Sequence, residues 1–194
     1  MLAGCARLLH RRVMFTALLS RMLSGDVSRG AAHAPPLSLA DDVAANPTVF
    51  GKLLRGESPV RLLFEDDEYF AFRNIKPYAR LAALVIPKRL APQDPDGLTA
   101  DDLQTVKDLK KIALQILKDK EPLALKEGDY WLRFHRRPFN SVNHLHMHVI
   151  APASRVSLWT TLVFFNHTLH AVDVEILLKR LEKLDARRPT KPAP

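Results

Sequence analysis

The sequence predicts an α+β domain in which an antiparallel sheet of about five strands is covered by helices on one face or at one end. Three observations carry this. Short runs rich in β-branched and aromatic residues recur at 60–65, 69–73, 82–86, 130–135 and 144–150. A long amphipathic pattern separates the third run from the fourth, and a second helical pattern follows the fifth. No internal repeat is visible. The 194 residues suffice for one domain with a sizeable core, and 47% apolar with 26% charged residues is a globular balance. No stretch of about 18 apolar residues exists to span a bilayer, so no membrane partner is expected.

The elements follow in order. Ser38-Leu39-Ala40-Asp41 has the form of a capping box, and Asn46-Pro47 offers a break or a fresh helix start before Val49, Phe50, Leu53 and Leu54, with Gly56 as its stop. Val60–Glu65 and Tyr69–Arg73, joined by Asp66-Asp67-Glu68, read as a hairpin; Ala82–Ile86 is a third strand closed by Pro87. Thr99-Ala100-Asp101-Asp102 opens the strongest helix, with Leu103, Val106, Leu109, Ala113, Ile116 and Leu117 on its apolar face and Pro122 as its end. Tyr130–His135 alternates as a half-buried strand does, and His144–Ile150 is the fifth strand. The apolar run Leu158–Phe165 precedes a last helix carrying Val172, Ile176, Leu177 and Leu181.

The formal net charge of +8 belongs to the ends. Residues 1–33 hold five Arg against one acid, residues 179–194 hold six basic residues against two acids, and the segment between is neutral. Nucleic acid is therefore not an expected partner. The Arg-rich, acid-poor start has the composition of a mitochondrial presequence; a cytoplasmic or nuclear chain with a plain N-terminal extension is the alternative. The expected organisation is a presequence and linker over 1–36, a folded domain over 37–185, and a disordered basic tail over 186–194. Cys5, the single cysteine, allows no internal disulfide and no cysteine cluster for zinc.

Chemistry concentrates in Phe139–Pro152. Alternation places His144, His146 and His148 on one face of a strand and Leu145, Met147 and Val149 on the other. Three readings fit a row of imidazoles: histidines on an open sheet face, a metal site needing a further ligand such as His135, His167 or His170, or nucleophilic catalysis at phosphorus. In the third, a neutral imidazole attacks directly and its neighbours orient it and protonate the departing group, while the Phe139–Asn143 turn aims N–H groups and the Ser141 hydroxyl at phosphate oxygens. Lys126, Arg133, His135, Arg136 and Arg137 form a basic stretch that reads either as a steering patch or as a solvated turn.

His144-Leu145-His146-Met147-His148-Val149-Ile150 resembles the signature of the histidine triad superfamily of nucleotide hydrolases and transferases. The likeness extends through Phe64–Pro77, Leu84–Lys88, Arg133–His135 and Pro138-Phe139, over residues 46–184, and is greatest to the adenosine phosphoramidase branch. The resemblance implies that the folded domain is of the histidine triad (HIT) type, and pairs as a homodimer. It implies His146 as the nucleophile that becomes nucleotidylated, His148 at the phosphate and leaving group, and His144 as support for the nucleophile's ring. It places Asn140, Ser141 and Val142 at the phosphate and leaving group, and Phe72, Asn74 and Ile75 at the nucleoside. The implied reaction is metal-independent, cofactor-free hydrolysis of the P–N bond of a purine nucleoside 5′-phosphoramidate to AMP and an amine. Other members of the superfamily open dinucleoside polyphosphates or adenylated nucleic acid, and a non-catalytic nucleotide-binding module is the reading from another class. Asn74 stands where an Asp is usual, Ala82 where a further histidine is common, and Thr48 and Gly51 where many relatives carry cysteines. A family-type zinc site is therefore not expected. The resemblance also offers Trp159 and the 158–165 run as a subunit interface or core, and His167 and His170 as groups lining a partner's site or the surface.

Overall fold

A computed structural model describes residues 38–91, 94–164 and 170–188. The expected presequence and linker, His167 and the end of the expected tail lie outside the described residues.

Helix α1 (Leu39–Ala45) starts at a capping box in which the Ser38 hydroxyl accepts from the Asp41 N–H and the Asp41 carboxylate accepts from the Ser38 N–H. Helix α2 (Val49–Leu54) is capped by Thr48, whose hydroxyl accepts from the Gly51 N–H, and leaves through Gly56 at φ +71°. Strands β1 (Leu62–Glu65) and β2 (Tyr69–Arg73) form the expected hairpin, its turn held by N–H groups of Glu68 and Tyr69 donating to the Asp66 carboxylate. Strand β3 (Leu81–Pro87) follows.

Helix α3 (Leu103–Lys120) is the long amphipathic helix and begins beyond a Thr99 capping box. Pro122 ends it as expected, but also opens a short helix α4 (Pro122–Glu127), because a residue with fixed φ and no N–H suits a first helical position. Strand β4 (Trp131–His135), strand β5 (Met147–Ala151), helix α5 (Leu158–Val163), strand β6 (Ala171–Asp173) and helix α6 (Val174–Asp185) complete the domain.

The sheet is antiparallel with six strands, in the order β1-β2-β3-β5-β4-β6. The sixth strand corrects two expectations. The count of about five rises by one, and Val172 belongs to a strand paired with Phe134 rather than to the last helix. A three-residue strand is too short to show a period of two, and Val172 is buried in either case. The chain is described through Arg188, which pairs with Asp101 at 2.5 Å, so three residues of the expected tail are placed.

The sheet's two faces carry different cores. On one, α3 and α6 press Val106, Leu109, Ile116, Leu177 and Leu181 onto Ala71, Val85, Phe134, Met147 and Val149. On the other, Phe50 of α2 packs with Phe70, Phe72, Leu84 and Ile86. Among the described residues, no helix is long and apolar enough to cross a membrane.

Candidate active site

The second face holds the triad. The expected strand His144–Ile150 begins three residues late, at Met147, so His144 and His146 sit in the lead-in and only His148 within the ladder. The alternation nonetheless survives. Leu145, Met147 and Val149 are buried in the helix-facing core, and the three histidines, 0%, 6% and 7% exposed, turn the other way. Leu84 and Arg133 flank His148 on the neighbouring strands, with Phe72 beyond Leu84 and Asp173 beyond Arg133.

His144 is held from both ring nitrogens. Its Nε2 lies 2.8 Å from the Pro87 carbonyl, which can only accept, so Nε2 carries the proton. Its Nδ1 is then the acceptor and takes a hydrogen bond from the Asn46 amide nitrogen at 3.1 Å. The amide's orientation is set independently, because the Asn46 carbonyl oxygen accepts from the Thr48 N–H at 3.0 Å and hydroxyl at 2.7 Å. Arg55 in turn donates to the main-chain carbonyl of Asn46. One neutral tautomer of His144 satisfies every group.

The tautomer of His146 is set by the main chain. Its Nδ1–H donates to the His144 carbonyl at 2.7 Å, which leaves Nε2 as a lone pair on a ring facing the groove. The edge of Phe50 meets this ring at 5.3 Å between centroids. Burial is the main cause that lowers the pKa of His146, partly opposed by the bond to the His144 carbonyl, so the ring is neutral at pH 7. Burial lowers His144 as well, against its bond to Pro87. His148 is driven well below the ordinary imidazole range by burial, then by the nearby His146 and His135.

His135 makes a fourth imidazole, centred 4.4 Å from His148, and burial holds it at about 4. The Nε2 atoms of His135 and His148 are buried without a hydrogen-bond partner, and both rings line the groove. Phe164 closes this end, in ring contact with His135, His148 and Tyr78. Among the described residues, no group of three or more His, Cys, Asp or Glu side chains is arranged to hold a metal ion.

The groove above the triad encloses about 410 Å³. Phe72, Asn74, Ile75, Ser141 and Val142 line it with His146 and His148, so seven of the nine expected residues meet there. His144 is fully buried behind the His146 ring, and Asn140 is buried within the turn, neither lining the groove. Ile75, although among the lining residues, is 91% exposed.

The basic stretch is not a uniform steering patch. Arg133 is buried, stacks at 4.2 Å over Trp131, donates to the Phe164 carbonyl and faces Asp173 at 4.0 Å. Arg136 pairs with Asp96 at 3.1 Å. His170 stacks on Phe139, with centroids 3.9 Å apart. Sequence reading missed Asn46, whose neighbour Pro47 drew attention only to a helix start, and saw in Pro87 only a strand end.

The family model described as scavenger mRNA decapping enzyme C-term binding matches residues 47–161. The chain is similar to adenosine 5′-monophosphoramidase HINT3 of Danio rerio, 32% identical over 142 residues that cover 72% of this chain and 87% of the relative. It is also similar to the bifunctional adenosine 5′-phosphosulfate phosphorylase/adenylylsulfatase HINT4 of Arabidopsis thaliana, 36% identical over 104 residues, 53% of this chain and 68% of the relative. A HIT family hydrolase from Legionella pneumophila matches with TM-score 0.48 and 28% identity, over 53% of this chain and 90% of that one. The chain belongs to the histidine triad superfamily. It is an enzyme of the hydrolase class.

Proposed function

We propose that this chain hydrolyses the P–N bond of purine nucleoside 5′-phosphoramidates through a nucleotidyl–His146 intermediate. The observation that carries this reading is the bond from His146 Nδ1–H to the His144 carbonyl, which presents a neutral Nε2 lone pair to the groove. In the first step Nε2 attacks phosphorus and the P–N bond breaks. The departing nitrogen takes a proton from His148, whose proton affinity rises when the substrate's anionic phosphate enters the groove. Water then attacks the adduct and gives its proton to His148, the P–Nε2 bond breaks, AMP leaves, and both histidines return to their starting states.

Similarity to relatives named as adenosine 5′-monophosphoramidases supports the P–N substrate. Exposed Leu158, Trp159 and Leu162 on α5 support a homodimer, which sedimentation would detect.

The deciding experiment incubates EDTA-treated protein with an adenosine phosphoramidate beside a His146→Ala variant. Turnover that survives chelation and is lost in the variant is expected. Equal turnover by the variant removes His146 as nucleophile, and loss on chelation removes the metal-free route. AMP binding without turnover would leave a binding module. Adenylyl sulfate, dinucleoside polyphosphates and adenylated DNA in parallel would reveal a different leaving group.

A further inference from the structure

We propose that the ribose subsite is built for a nucleotide carrying a second phosphate on its 2′ or 3′ oxygen. The inference deepens the function proposed above and rests on it, with Asn74 at the ribose.

A second cavity, of about 680 Å³, adjoins the groove and shares Phe72, Asn74 and Ile75 with it. It holds no histidine, so it extends from the nucleoside end, away from the reacting phosphorus. Its wall carries Arg61, Arg73 and Arg80 and no Asp or Glu. Arg73 is steadied by donating to the Arg80 carbonyl at 2.9 Å, and Arg80 pairs at 2.7 Å with Glu121, outside the cavity wall. Among the described residues neither Arg61 nor Arg73 has a carboxylate partner.

Asn74 sits where the two cavities meet. The Lys76 N–H lies 3.0 Å from its side-chain oxygen and can only donate, so the oxygen is turned toward that turn and Nδ2 away from it. The boundary therefore presents an amide donor, and the wall of the adjoining cavity brings the basic residues Arg61, Arg73 and Arg80 to the same end of the groove. A free ribose diol offers hydroxyl hydrogens that need acceptors. A phosphate ester offers only acceptors and negative charge, and guanidinium groups match it in geometry and sign.

The experiment is titration calorimetry of the full chain with AMP, adenosine 3′,5′-bisphosphate, adenosine 2′,5′-bisphosphate and a 5′-phosphorylated oligonucleotide. One bisphosphate should bind about tenfold or more tightly than AMP at 0.15 M salt, the order expected of a charge-assisted pair. Arg61→Gln and Arg73→Gln should each reduce that advantage and leave AMP binding unchanged, and Asn74→Asp should abolish it by facing the phosphate with a carboxylate. An oligonucleotide binding as tightly as the bisphosphate would keep the subsite and assign its phosphate to a polynucleotide end. If AMP binds and neither bisphosphate exceeds it, or if the advantage is indifferent to both arginines, the subsite is wrong while the hydrolase reading stands. If AMP itself fails to bind, both fall.

Discussion

The side chains of Asn46 and His144, 98 residues apart in the chain, meet in a buried hydrogen bond of 3.1 Å that determines which nitrogen of the histidine is protonated. The donor half of the amide faces Nδ1, so a proton there would oppose two amide hydrogens, while Nε2–H is accepted by Pro87. Asn46→Ala should cost about 1–3 kcal/mol of stability by leaving Nδ1 buried and unpaired. Asn46→Asp should instead supply an acceptor, protonate both nitrogens and put a cation beside His146. Nitrogen NMR of the ring distinguishes the outcomes: one protonated nitrogen in the native protein, two in the Asp variant. An unprotonated Nε2 in the native protein would refute the assignment.

Stability should fall on mild acidification. His135, His144, His146 and His148 all have folded pKa values below the ordinary 6.5. The unfolded chain therefore binds more protons than the native one as pH drops below 6.5, and stability rises with pH across that range. The loss begins near 6.5 and continues to about 4, the folded value for His135. Urea melts at pH 7 and pH 5 should show a lower midpoint at pH 5, and His135→Gln should narrow the difference.

Gly51→Ala should reverse the usual benefit of alanine in a helix. A Cβ at this position would lie 2.1 Å from the main-chain oxygen of Asn46. The helix-propensity gain of about 1 kcal/mol would be outweighed by a clash of overpacking size, about 1–3 kcal/mol or more. Thermal denaturation would show the loss. Turnover should fall further than stability alone explains, because Asn46 would move off His144.

Arg133→Ala should destabilise by about 1–3 kcal/mol, the cost of leaving a buried acceptor unpaired. It strips a cover from Trp131, leaves the Phe164 carbonyl without its donor and removes the positive charge facing Asp173. Were Arg133 a steering charge, the variant would keep its melting temperature and lose only the salt dependence of KM.

Much of this molecule is legible in its residues, and the misses have physical causes. Ser38, Thr99 and Gly56 act through local backbone chemistry, so their roles stand in the sequence. The faces of α3 and of Leu145, Met147 and Val149 are legible because burial imposes a period. β6 is invisible because its three residues form a strand only through Arg133–His135. Asn46 and Pro87 are invisible for the same reason: each acts on a histidine more than 50 residues away. Arg133 reads as surface charge because nothing local announces that it donates to the carbonyl of Phe164, 31 residues on.

Because β5 starts at Met147, the His144 carbonyl lies outside the paired register and accepts the Nδ1–H of His146. The group that orients the His146 ring is thus a peptide oxygen, present whatever residue occupies position 144. Substitution at position 144 should therefore act through loss of the ring's bonds to Pro87 and Asn46, and not through loss of that oxygen.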